Sequence, residues 1–219
     1  MSAPDAGPAG TVEPAVAVEV LLEALPYIER FRGAVVVVKL GGNAMSSPEL
    51  FDSFAKDVVM MHRVGMRPVV VHGGGPQIGS WMERLGRTSE FVDGRRVTDA
   101  DTLEVAQMVL LGQVNAQIVT ALNTFGPVAL GLSGTDALML EAEARDPQLG
   151  FVGDVTRVTT ALIDRTIAMD LVPVIATLGA EREPTARLRH IAHIGVGGFF
   201  GVPHRVGFDR VFLHRARSS

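Results

Sequence analysis

The chain has 219 residues, of which 47% are apolar, and it can therefore bury one substantial core within one or two domains. Its formal net charge of -4 argues against a general nucleic-acid-binding protein, which would have a basic domain. The absence of cysteine excludes disulfides, thiol catalysis and cysteine-ligated zinc. No apolar run reaches the roughly 18 residues of a membrane span, and Met1–Pro14 lacks a signal-peptide pattern, so we expect a cytoplasmic protein.

The first part of the chain predicts a leader and one helix. Residues 1–13 are rich in Ala, Gly and Pro and are predicted to form a disordered leader. Within residues 14–33, apolar side chains recur every three or four positions from Pro14 to Phe31, which predicts a helix with one apolar face and a kink at Pro26. That face can pack on the chain's own core or on another subunit, and the pattern leaves both readings open.

A strand, a helix and a second strand follow. Ala34–Val38 and Met66–Val71 are apolar runs typical of buried strands. Between them, Ser47–Glu49 provides an N-cap, a proline at the first helical position and an acid in the first turn, which predicts a helix to about Val64. This order is typical of a parallel βαβ unit.

Glycines follow both strands. Gly73–Gly75 and then Pro76 end the second strand, and amide groups at such a helix N-terminus attract anions. Their spacing matches neither the dinucleotide fingerprint nor the P-loop, and a tight turn without a ligand is the alternative reading. Because Lys39, Gly41 and Gly42 follow the first strand, both loops should face one crevice beyond the carboxyl ends of the strands. A lysine leaving a strand can also be simply solvated.

The remaining elements alternate up to residue 180. They predict a three-layer αβα sandwich with a mostly parallel central sheet, in a lobe covering residues 34–180. The predicted elements are a helix at Pro76–Leu85, a hairpin at Thr88–Val97, a helix capped by Thr98–Asp101 and ending near Phe125, a strand at Val128–Leu132, a hairpin of Ala137–Glu141 with Phe151–Val158, a helix at Thr160–Met169 and a strand at Leu171–Thr177.

Residues 181–219 differ in composition from the rest of the chain. They contain seven arginines, three acids and four of the six histidines, whereas residues 1–180 contain thirteen basic and twenty-one acidic residues. This basic tail is either an out-of-frame reading or a pair of replacement strands at Ile191–Phe200 and Val211–Leu213. His190 and His193 have the spacing of helical metal ligands, but glycines follow at once and a chance pair is the simpler reading.

Five motifs in register resemble those of acetylglutamate kinases, in the amino-acid kinase superfamily. They are K-L-G-G-N-A-M (Lys39–Met45), V-V-V-H-G-G-G-P-Q-I (Val69–Ile78), E-F-V-D-G-R-R-V-T-D (Glu90–Asp99), G-L-S-G-T-D (Gly131–Asp136) and G-F-V-G-D-V (Gly150–Val155). The resemblance covers roughly Leu21–Gly179. It implies ATP-dependent phosphorylation of the side-chain carboxylate of N-acetyl-L-glutamate in arginine biosynthesis, with ATP and Mg2+ as co-substrate and no tightly bound cofactor.

The resemblance also implies roles for individual residues. Lys39 is the catalytic cation, Gly41, Gly42 and Gly73 hold the phosphoryl group, and Gly74, Gly75 and Arg96 bind the substrate, with no resident metal site. Two positions depart from the family pattern: Arg95 stands where an apolar residue is usual, and Gln113 where relatives often have lysine. We expect His72 to pack at its strand end rather than act as a base.

The two ends of the chain differ in how they match this family. Leu21–Gly33 resembles the N-terminal extension of hexameric, arginine-inhibited members, which implies a homo-oligomer and arginine as a feedback inhibitor. After Gly179 the family's second lobe is truncated or replaced, which would cripple catalysis. A non-catalytic acetylglutamate-binding or assembly protein, and a kinase for a different acid, are the alternatives. The failed glycine spacing disfavours a Rossmann dehydrogenase.

Overall fold

The computed structural model describes residues 13–41, 45, 47–144, 146–182 and 188–192. Several predictions concern positions outside these described residues and are not tested by the structure. They are the leader through residue 12, Gly42, His193, the predicted strand residues from 193 to 200 and those at Val211–Leu213.

Helices and strands alternate along the described residues, close to the predicted bounds. The helices are α1 (Pro14–Phe31), α2 (Pro48–Arg63), α3 (Gly75–Arg84), α4 (Ala100–Gln107), a π-helical segment (Met108–Asn115), α5 (Ala116–Asn123) and α6 (Ala161–Ala168). The strands are β1 (Val35–Leu40), β2 (Arg67–His72), β3 (Phe91–Val92), β4 (Arg95–Arg96), β5 (Ala129–Ser133), β6 (Leu140–Ala144), β7 (Gly153–Val158), β8 (Val172–Ala176), β9 (Leu178–Arg182) and β10 (Leu188–Ala192).

Four parallel strands form the central sheet, in the order β1-β2-β8-β5. Their last residues are in register: Leu40 lies opposite His72, His72 opposite Ala176, and Ala176 opposite Ser133. The carboxyl ends of all four strands therefore lie at one edge of the sheet, which confirms the predicted α/β fold with a mostly parallel central sheet.

The two faces of this sheet are covered differently. Val36, Val38 and Val70 pack in a core with α2 and the helix from α4 to α5, as alternation along a strand requires. Val69 and Val71 lie in a second core with side chains from α6, β6 and β7. The third layer of the sandwich thus combines helix α6 with strands β6 and β7, a hairpin that the sequence predicted without assigning it to a layer.

A second sheet supplies those strands, in the order β10-β9-β6-β7. The predicted β6–β7 hairpin is antiparallel, but β6 begins at Leu140 because Ala137 and Leu138 have φ angles of 50° and 53° and form a turn. β9 and β10 form a further antiparallel hairpin. Strand β9 crosses position 180, where the sequence predicted the lobe to end, and His190 lies in strand β10 rather than in a helix.

The helix from Ala100 to Asn123 is long and apolar enough to cross a membrane by length and composition. In this fold, however, Val114, Ile118 and Leu122 are fully buried within the core, against α2 and β8. It is the core helix of the α/β domain, which accounts for its apolar character.

Among the described residues, the apolar face of helix α1 is left exposed. None of its residues is buried, and Leu21 and Leu22 expose 64% and 63% of their surface. The structure therefore does not support the reading in which this face packs on the chain's own core.

Candidate active site

Lys39 and Gly41 lie at the carboxyl end of β1. Lys39 is exposed and paired with Val71 of the neighbouring strand, so it is the last residue but one of β1. A side chain at Gly41 would meet nothing within 4 Å. The register therefore brings the carboxyl ends of β1 and β2, from which both glycine segments start, side by side.

The three glycines after β2 occupy different surroundings. A Cβ at Gly73 or Gly75 would meet nothing within 4 Å, so the backbone there is open to another molecule. A Cβ at Gly74 would lie 2.8 Å from Leu110 Cδ2 and 3.1 Å from Val114 Cγ2, both in the π-helical segment. Gly74 thus lets the loop pack against this segment, while its neighbours leave room for a ligand.

Helix α3 begins directly in this loop. Gly74 is its N-cap and provides no side-chain hydrogen bond, and proline lies in the first turn. The N–H groups of a first helical turn have no acceptor within their own helix, and the helix dipole makes this end positive. The loop and the start of α3 therefore suit an anionic ligand such as a phosphoryl or carboxylate group.

Arg96 is held against the same loop. It is only 8% exposed, and its guanidinium donates hydrogen bonds to Ser89 Oγ and, at 3.1 Å, to the carbonyl oxygen of Gly75. The guanidinium carbon lies 4.8 Å from the centre of the Phe91 ring. Burial lowers the pKa of Arg96 from its usual value, but arginine remains cationic in proteins.

This arrangement prepares Arg96 for an anion. A guanidinium has five N–H donors, and the bonds to Ser89 and Gly75 leave donors for a carboxylate. Gly79 of α3 provides the space, because a Cβ there would already lie 3.4 Å from Arg96 Nη2. The adjacent Arg95 is exposed, as expected for a solvated surface residue.

His72 is fully buried at the end of β2. One ring nitrogen, Nδ1, lies 3.0 Å from the carbonyl oxygen of Gly73, and Nε2 lies 3.0 Å from the side-chain nitrogen of Asn115. Desolvation lowers the pKa of His72 to about 4, although the bond to Gly73 opposes this shift. This burial confirms that His72 packs at its strand end. That it does not act as a base stays a prediction.

Sequence reasoning missed several residues around the site. Asn115 contacts His72. Arg96 is contacted by both Ser89 and Phe91. In addition, Gln113 Oε1 accepts a 2.6 Å hydrogen bond from the indole of Trp81 in α3. The signal available for Asn115 was an amide beside the apolar stripe of a core helix, since a buried polar group needs partners. The sequence shows that Gln113 departs from the family pattern, but it does not show that Trp81 is its partner.

The matched motifs also meet away from the glycine loop. Thr98 pairs with Gly150, the amide of Phe151 donates to the carbonyl of Thr98 at 2.7 Å, and the amide of Thr98 donates to Leu149 at 2.9 Å. At the end of β5, the carboxylate of Asp136 accepts a 2.8 Å bond from the amide of Ser133. These bonds fix the loop after β5 and join the segment before α4 to the segment before β7.

Comparison with known proteins identifies the family of this chain. The model of the Amino acid kinase family matches residues 34–198. The chain belongs to the amino acid kinase family. The match includes the whole central sheet and continues past residue 180, into the part that the sequence analysis left unmatched.

Individual relatives confirm the resemblance to acetylglutamate kinases. The chain is 50% identical over 184 residues to the acetylglutamate kinase of Chromohalobacter salexigens, which covers 78% of this chain and 60% of that protein. It is 52% identical over 160 residues to the acetylglutamate kinase of Ruegeria pomeroyi, with 73% and 56% of the two chains covered. The chain thus spans about 60% of the length of the curated relatives it matches.

A solved structure supports the fold. The N-acetylglutamate synthase of Neisseria gonorrhoeae, complexed with coenzyme A and N-acetyl-glutamate, superposes with a TM-score of 0.65 at 22% identity. That match covers 80% of this chain and 40% of that protein, and at this identity it shows the fold alone.

Proposed function

We propose that this chain carries the acetylglutamate-binding part of a kinase that phosphorylates the side-chain carboxylate of N-acetyl-L-glutamate with ATP and Mg2+. The observation that carries the proposal is the hydrogen bond from buried Arg96 to Gly75, because it sets a carboxylate-binding cation against the anion-binding start of α3. The 50% identity with an acetylglutamate kinase supports this substrate over other amino acids. The reaction belongs to cytoplasmic arginine biosynthesis.

The proposed roles follow from the position of each residue. Arg96, with the backbone of Gly74 and Gly75, binds the substrate, and the remaining guanidinium donors take its α-carboxylate. Lys39 and the backbone at Gly41, Gly42 and Gly73 hold the phosphoryl group beside it. Phosphoryl transfer depends mainly on positioning and on neutralising charge, which a lysine and backbone amides supply.

The metal is proposed to come with the nucleotide. Among the described residues, no group of three or more histidine, aspartate or glutamate side chains could hold a metal ion. Mg2+ usually binds through substrate phosphates and only one or two carboxylates, so such a site would form only with ATP present.

The proposal also concerns how much of the reaction this chain performs. Because the chain spans about 60% of its relatives' length, we propose that it retains substrate binding and that its turnover alone falls well below the ~1 to 100 per second of typical kinases. A non-catalytic acetylglutamate-binding protein of this ancestry would bind the substrate without any turnover.

The test is ATP-dependent phosphorylation of N-acetyl-L-glutamate by the full 219-residue chain. Lys39→Ala is the active-site variant, and Lys56→Ala, which removes the only other lysine, from an exposed ion pair on α2, is its matched control. Turnover lost only in Lys39→Ala supports the kinase. Absence of turnover, with acetylglutamate still raising the melting temperature, supports the non-catalytic protein. Binding of glutamate or aspartate in preference to acetylglutamate would contradict the proposed substrate.

Arg96 provides a separate test of substrate binding. Arg96→Ala removes a hydrogen-bonded cation, which costs about 1.5 to 3 kcal/mol and weakens acetylglutamate binding about 10- to 150-fold by calorimetry. Arg95→Ala makes the same change at the adjacent exposed position and should leave the affinity unchanged. Equal losses in the two variants would mean that Arg96 does not bind the ligand.

We also propose that α1 joins chains into a homo-oligomer and that arginine acts as a feedback inhibitor. The exposed apolar face of α1 supports the first part, because leaving Leu21 and Leu22 in water is unfavourable. In sedimentation experiments, Leu22→Glu should dissociate the assembly and Glu23→Gln should not. A monomeric unmodified chain would contradict the proposed assembly. Acetylglutamate binding that L-arginine does not change would contradict the proposed inhibition.

A further inference from the structure

In the buried hydrogen bond between Asn115 and His72, the neighbouring contacts determine which side chain is the donor. The side-chain nitrogen of Asn115 lies 2.8 Å from the carbonyl oxygen of Val174, which can only accept, so this atom is the donating NH2 group. The same nitrogen lies 3.0 Å from His72 Nε2, which must therefore accept its second hydrogen. The proton of the neutral ring is then on Nδ1 and is donated to the carbonyl oxygen of Gly73.

This chain of bonds ends on the glycine loop. The carbonyl of Gly73 and the amide N–H of Gly74 belong to one planar trans peptide, so they point in opposite directions. A hydrogen bond that holds the Gly73 carbonyl toward the His72 ring therefore directs the Gly74 N–H away from it. Neither glycine has a side chain that could fix this peptide by packing, so the bond from His72 restricts its rotation.

The π-helical segment brings Asn115 to this position. Leu110 and Val114 of the segment pack against Gly74, and a Cβ at Gly131 of β5 would overlap Asn115 Oδ1. Asn115 therefore reaches β2 and β8 through its NH2 group and rests on the bare backbone of β5 through its oxygen. π-Helical turns are often found at functional sites.

We propose that Asn115 is a positioning residue that selects the Nδ1–H tautomer of His72 and thereby fixes the Gly73–Gly74 peptide for its anionic ligand. Asn115 acts through His72 and does not touch the ligand. The proposal deepens the proposed function, on which it rests only for the identity of that ligand.

The test measures the tautomer and the order of the loop by NMR on the full chain at pH 7. Long-range nitrogen–proton spectra of the unmodified chain should show that Nδ1 of His72 is protonated and Nε2 is not. The His72→Gln variant lacks these resonances and so assigns them. In Asn115→Asp, the carboxylate accepts instead of donating, so the proton should move onto Nε2. The order parameters of the Gly73 and Gly74 amides should then fall from about 0.85 toward 0.6.

Two further variants separate positioning from general damage. Gly131→Ala displaces the Asn115 amide without changing a hydrogen-bonding group, and it should produce the same loss of order in the loop. Asn123→Asp makes the identical chemical change in α5, where the described hydrogen bonds of the Asn123 side chain are to the backbone of Val128 and Ala129, and it should leave the loop unchanged.

Three results would overturn the proposal. They are a protonated Nε2 in the unmodified chain, unchanged loop order in both Asn115→Asp and Gly131→Ala, and an equal loss of order in Asn123→Asp. Calorimetry with N-acetyl-L-glutamate on the same samples keeps the two proposals apart. An unmodified chain that fails to bind it contradicts the proposed function, whereas the tautomer and the order parameters still test the role of Asn115.

Discussion

Acid should unfold this protein partly through His72. The folded chain holds this ring neutral with a pKa of about 4, whereas an unfolded histidine has a pKa of about 6.5. Between these values the unfolded chain binds a proton that the folded chain does not, so the free energy of unfolding falls as the pH falls through this window. At about 1.36 kcal/mol per pKa unit, the loss is roughly 3 kcal/mol, complete near pH 4 and absent above about pH 7.

Urea unfolding at a series of pH values from 7.5 to 4 measures this loss when His72→Gln is compared with the unmodified chain. Glutamine does not titrate, so the difference between the two curves isolates His72, and His190→Gln at an exposed position is the control. Carboxylates such as Asp99, whose pKa is lowered by its hydrogen bonds with Thr102, act equally in both proteins and cancel. Parallel curves for His72→Gln and the unmodified chain would refute the reasoning.

Other substitutions test packing and capping by urea unfolding. Gly134→Ala would force a Cβ into the first carbonyl of β9 and should lower the free energy of unfolding by about 1 to 3 kcal/mol. Gly112→Ala lies in open space within the π-helical segment and should raise the free energy of unfolding by up to about 1 kcal/mol. The reverse order of stability would contradict the packing described. Asp99→Ala removes the cap that accepts a 2.7 Å bond at the start of α4 and should cost about 1 kcal/mol, with no change contradicting the cap. Gly75→Ala should leave stability within about 0.5 kcal/mol but weaken acetylglutamate binding in calorimetry, whereas Gly74→Ala should lower stability by about 1 to 3 kcal/mol. Equal stability effects would show that the two glycines are not distinct.

The central sheet was predictable because its signals are local. Apolar β-branched runs, the Ser47 cap and the glycines after each strand predicted β1, α2 and β2 to within one or two residues. Parallel pairing then follows from the connection through a helix, and the common edge follows from parallel pairing. The position of Arg96 at that edge was implied by resemblance alone, because nothing local connects β4 with α3.

The polar contacts inside the core were not predictable from the pattern. A π-helical turn leaves nearly the same apolar stripe in the sequence as an α-helix, so the stripe does not reveal which side chain turns toward the sheet. Asn115 and His72 are 43 residues apart, and their contact depends on that turn and on the space at Gly131. The second sheet was half predicted, since its hairpin is local but the addition of β9 and β10 beside β6 is not.

The three glycines bear on the alternative that this loop is only a tight turn. Backbone strain does not require glycine at Gly73 or Gly75, because neither is among the glycines with a positive φ angle. Packing does not require it either, since a side chain at either position would meet nothing within 4 Å. Only Gly74 has a packing reason, against Leu110 and Val114. A turn without a ligand would therefore need one glycine, and the proposed close approach of an anion to the backbone would account for the other two.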